Sequence, residues 1–183
     1  ADAESPRAVV SPTAGSPRAG ADLPPTALPD IVHSLREDRD SLRHPSDGRG
    51  RIWLESGPTT IAAGGRGRWV VAFEVADAGI AEGGRVFLHV PPFWGWSEPW
   101  VATPDLPATV MAQRPGLTRV TTDAEDVLLD LAAVDTHLVA AQVQGRGLRP
   151  GEVLRFEYGA GEALAVADRY AEQGAAFLVA VDG

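Results

Sequence analysis

The chain of 183 residues contains no cysteine and no lysine; all sixteen of its basic side chains are arginine. The first absence excludes disulfides, a thiolate nucleophile and cysteine-ligated zinc. The second excludes a Schiff-base lysine and the lysine of a P-loop. Missing cysteine leaves the redox compartment open. Missing lysine beside abundant alanine, glycine and arginine fits the codon usage of a GC-rich bacterium. Long apolar runs are missing too: none approaches the ~20 residues that span a bilayer, so no membrane insertion is expected. There is no basic block, and the formal charge is −9. A surface of that sign repels phosphate backbones, so nucleic acid is not an expected partner. The first residue is Ala1 rather than Met, which suits an excised or processed chain. The compartment expected is therefore bacterial, either the cytoplasm or outside it after signal removal.

What is present divides in two. Residues 1–50 begin "ADAESPRAVVSPTAGSPRAGADLPPTALPD", rich in Pro, Ala, Ser and Gly and without aromatic residues. Burial there could not offset ordering entropy, which predicts a disordered or extended leader. "IVHSLREDRDSLRHPSDG" adds a short polar stretch with helical spacing at Ile31, Leu35 and Leu42. From Arg51 to Gly183, short apolar runs alternate with turn signals. "RIWLES", "GRWVVAFEVAD", "RVFLHV", "ATVMAQ", "LTRVTT", "DVLLDLAAVD", "DTHLVAAQVQG", "VLRFEYG" and "FLVAVDG" all read as strands. The clearest carries Trp69, Val71, Phe73 and Val75 on one face; the next carries Val86, Leu88 and Val90. This spacing predicts an all-β, antiparallel, immunoglobulin-like β-sandwich over residues 51–183. "GEALAVADRYAEQG" departs from the pattern. Its spacing at Leu164, Ala167 and Tyr170, with a glycine at the cap position, predicts one short helix near the C-terminus.

Candidate chemistry is sparse. "HVPPFWGWSEPW" places Phe93, Trp94, Trp96 and Trp100 in a proline-shaped loop. Its aromatics could stack on a glycan, which makes these four the candidate ligand-binding residues. They could equally fold back over one end of the sandwich. Packing is the favoured reading, because an exposed trio of tryptophans costs solubility. "AAGGRGRW" lacks the lysine and spacing of a phosphate cradle and reads as a loop into a strand. His33 and His44 lie in the leader. His89 and His137 lie on separate strands and could meet beside Asp135, but their spacing does not demand it. No Gly-x-Ser-x-Gly elbow exists. "HPSDG" at 44–48 lacks the Asp-x-His context of a phosphoesterase signature. No catalytic residue, metal site or cofactor is expected.

The order of the turns and strands resembles a known pattern. "SGPTTIAAGGRGRWVVAFEVADAGIAEGGRVFLHVPPFWGWSEPW", then "LRPGEVLRFEYG" and "RYAEQGAAFLVAVDG", are similar to the N-terminal β-sandwich region of a bacterial family named domain of unknown function 3604. The resemblance covers roughly residues 51–183. It implies that the sandwich precedes a domain like the PHP metal-dependent phosphoesterases. The metal-binding signatures of that domain are absent here, so the resemblance transfers no catalytic residue. In that context a complete strand pattern without a convergent reactive set reads as a non-catalytic accessory module, with a C-terminal catalytic domain or a small molecule or glycan as partner. A carbohydrate-binding module using the loop at 93–100 is the alternative.

Overall fold

The computed structural model describes residues 49–91 and 95–182. All of them fall within one unit, Arg43–Gly183. Most of the leader, Phe93 and Trp94 lie outside the described residues.

The strands are β1 (Gly50–Ser56), β2 (Arg66–Gly67), β3 (Trp69–Val75), β4 (Arg85–His89), β5 (Thr118–Thr122), β6 (Leu128–Ala133), β7 (Leu138–Gln144), β8 (Val153–Tyr158), β9 (Ala165–Val166) and β10 (Leu178–Asp182). Two antiparallel four-stranded sheets form, ordered β1-β3-β8-β5 and β10-β4-β7-β6, with β2 and β9 as a small third ribbon. The chain is thus the all-β sandwich that its alternation predicts.

The inner faces follow the period of two. Trp69, Val71, Phe73 and Val75 on β3 lie beside Leu154, Phe156 and Tyr158 on β8. Val86 and Leu88 on β4 lie beside Ala141 and Val139 on β7, and all four are fully buried. Residues of both sheets join in one hydrophobic cluster. The chain passes from sheet to sheet at nearly every connection. Consecutive strands such as β3 and β4 therefore face each other across the core rather than pair.

Two local expectations are overturned. "ATVMAQ" is not a strand but helix α1, Ala108–Gln113. Pro107 precedes it with φ −58°, already near the helical value, and Arg114 and Pro115 close it. None of its residues is buried, so no sheet face competes for the segment. Conversely, "GEALAVADRYAEQG" is not a helix. Leu164 takes a left-handed φ of 58°, and the next two residues form β9, which pairs with Arg66–Gly67. The Ala167 amide donates to the Gly65 carbonyl and the Val166 amide to Ser97 Oγ. Tertiary partners for the backbone outweigh a helix propensity of a few tenths of a kcal/mol per residue. The only helix among the described residues is thus α1, not one near the C-terminus.

Candidate functional site

One end of the sandwich, where β3 begins and β8 ends, gathers aromatic rings. Trp69 and Tyr158 are neighbours in the β3–β8 register and stack at 5.9 Å. Trp96 meets Trp69 edge-on at 5.2 Å, and Phe177 reaches the same cluster at about 6 Å from each of the other three rings. Trp69 and Tyr158 are buried, whereas Trp96 and Phe177 are half-buried. Edge-to-face contacts of this kind contribute roughly 0.5–1.5 kcal/mol each beyond area burial.

Hydrogen bonds fix the loop that carries Trp96. The Tyr158 hydroxyl donates to the Ser97 carbonyl. Its proton being so used, Ser97 Oγ donates to the Tyr158 oxygen at 2.8 Å and accepts the Val166 amide at 3.0 Å. Burial pushes the Tyr158 phenol up to about 12, against the opposing pull of Ser97. It is therefore a permanent donor near neutral pH. The Trp69 indole donates to the Pro58 carbonyl and the Trp96 indole to Glu172 Oε1 at 3.0 Å.

Beside this cluster lies a cavity of about 700 Å³. Leu54, on the inner face of β1, lies on one side of it. Pro58–Ala63 after β1 and Ala167–Phe177 before β10 supply most of the remaining lining, with Trp69 and Trp96 against them. Its charged members among the described residues are Asp168 and Glu172. Asp168 is 3% exposed; its Oδ1 accepts the Tyr170 amide at 2.8 Å and its carbonyl accepts the Gly64 amide. Glu172 and Tyr170 are exposed.

The four candidate ligand-binding residues therefore separate. Trp96 lines the cavity. Trp100 is 3% exposed, donates its indole N–H to the Pro115 carbonyl and bridges Leu117, so it packs the fold. Phe93 and Trp94 lie outside the described residues. Alternation places Trp69 in the strand core, whereas no local signal marks Phe177, Asp168 or Glu172. Alternation showed Trp69 facing inward, but not that it faces inward at an open end of the sandwich.

His137 lies in the β6–β7 turn rather than on a strand, and its ring is 6.2 Å from that of His89 on β4. His137 Nδ1 shares a hydrogen bond with Thr136 Oγ1, and its amide donates to Asp135 Oδ1. His89 Nδ1 is buried without a partner. Among the described residues no three His, Cys, Asp or Glu side chains gather as a metal site, and no helix is long and apolar enough to cross a membrane. Comparison with known proteins finds no protein-family model, no curated protein and no solved structure that matches this chain.

Proposed function

We propose that this chain is an accessory β-sandwich module that recognises a ligand for a larger protein of the metal-dependent phosphoesterase type. The larger context rests on the resemblance of residues 51–183 to the family's sandwich region. Recognition is supported by the cavity at the β3–β8 end. Its volume of about 700 Å³ lies within the ~300–1,000 Å³ usual for small-molecule sites. It combines a half-buried indole with the Thr59 and Thr60 hydroxyls and two carboxylates, the mixture of apolar wall and few polar groups that orients a ligand. The partly exposed indole of Trp96 also favours the carbohydrate-binding reading, because indole rings stack on sugars.

Tryptophan fluorescence titration of the chain, with Trp96→Ala as control, tests the reading. A saturable change with oligosaccharides or small organic molecules is expected, at least tenfold weaker in Trp96→Ala at unchanged far-ultraviolet dichroism. Equal binding by the variant would move the site elsewhere.

A further inference from the structure

The charges around the cavity restrict what can enter it. Its described lining includes two acids, Asp168 and Glu172, and no arginine or histidine. The aromatic wall has the same preference, since the faces of indole and phenyl rings carry negative quadrupole potential. The whole chain adds a net charge of −9, which raises the local concentration of cations.

Three aromatic faces among the described residues already hold cations, one of them Tyr170 on the cavity lining itself. Arg51 lies over Trp53 at 4.7 Å, Arg114 over Trp100 at 5.1 Å and Arg169 over Tyr170 at 5.1 Å. Among the described residues no arginine stacks over Trp96. Arg169 is the next residue to Asp168, yet it does not line the cavity. Asp168, although 3% exposed, has no salt-bridge partner among the described residues. A buried carboxylate gains most from a counter-ion brought by a ligand, because the local dielectric is low.

We propose that the cavity binds an organic cation, a ligand with a protonated amine or quaternary ammonium placed against Trp96 and between Asp168 and Glu172. This rests on the recognition reading and deepens it. A phosphate or carboxylate ligand would meet two like charges on the described lining and no basic lining side chain, the nearby Arg169 being stacked over Tyr170. If the module serves a phosphoesterase, it holds a part of the substrate that does not bear the phosphate.

Pairs of probes matched in shape and differing in charge test this by calorimetry. Deacetylated chitobiose is paired with cellobiose, and choline with 3,3-dimethylbutanol. At least one cationic probe is expected to bind tenfold or more tighter than its neutral counterpart, with affinity falling as salt is raised. Glu172→Gln is the clean variant. The residue is exposed, and the amide oxygen still accepts the Trp96 indole, so only the charge is removed. Its expected effect is a threefold to tenfold greater loss for the cation than for the neutral probe. Equal binding within each pair, or unchanged cation affinity in Glu172→Gln, overturns the cationic assignment while leaving recognition intact. Binding by none of the four probes overturns the assignment, whereas the recognition reading falls only if the wider fluorescence panel is silent as well.

Discussion

Tyr158 shows how one side chain joins the core to the candidate site. Its ring is fully buried in the aromatic cluster, while its hydroxyl holds the carbonyl and the hydroxyl of Ser97. Ser97 in turn holds the β9 amide of Val166. Tyr158→Phe would keep the ring and delete the hydroxyl, leaving the Ser97 carbonyl without this donor and the Ser97 hydroxyl proton without its acceptor. We expect a loss of about 1–2 kcal/mol in urea unfolding. We also expect weaker ligand binding, because Trp96 is the residue before Ser97. A variant as stable as the parent would mean that water replaces the lost hydroxyl.

The connections between elements carry their own stabilising chemistry. In the turn from β7 to β8, Arg146 and Glu152 form a two-pronged pair, Nη2 to Oε1 at 2.7 Å and Nη1 to Oε2 at 2.9 Å. Arg146 Nε also donates to the Glu125 carbonyl, tying the β5–β6 loop to this turn. The Arg146 hydrogen bonds, with that of the Arg149 amide, hold the Glu152 carboxyl down at about 2 against an ordinary 4.5. The folded value lies below the unfolded one. The contribution is therefore complete above about pH 4.5 and is lost as the pH falls towards 2. Glu152→Gln should destabilise the chain at pH 7 and show a shallower loss of stability between those limits. Denaturant unfolding over a pH series measures this, and parallel curves for parent and variant would refute it.

At the scale of the whole molecule the two outer faces differ. The β1-β3-β8-β5 sheet is laced with ion pairs, among them Arg155–Glu55 at 3.0 Å and Arg119–Glu157 at 3.3 Å. The outer face of the other sheet carries the cross-strand row Ala180–Phe87–Ala140–Ala132 beside Leu178 and Leu138. Leu178 is 57% exposed on β10, and Leu128 is 71% exposed on β6. An apolar face of this kind promotes association. Leu178→Lys should reduce binding of a hydrophobic dye and any concentration-dependent self-association. Stability should change by no more than about 0.5 kcal/mol, as for an exposed position. Unchanged dye binding would show that this face contributes nothing to surface hydrophobicity.

Local alternation was enough to reveal the sandwich, because a strand with one buried face must repeat apolar residues every second position. Trp69–Val75 and Arg85–His89 carry that repeat in full, and Leu128–Ala133 also pairs as a strand, with Leu129 and Leu131 turned inward. Composition likewise determined the negative charge and the chemistry that cysteine and lysine would have supplied. Only the tertiary structure decided the short segments. Ala108–Gln113 coils because no sheet edge receives it, and Ala165–Val166 extends because Arg66–Gly67 and Ser97 satisfy its backbone. The candidate site belongs to the same class. Leu54, Trp69, Trp96, Asp168, Glu172 and Phe177 are brought together from across the sequence, and no local period records contacts made only when distant segments close on one another.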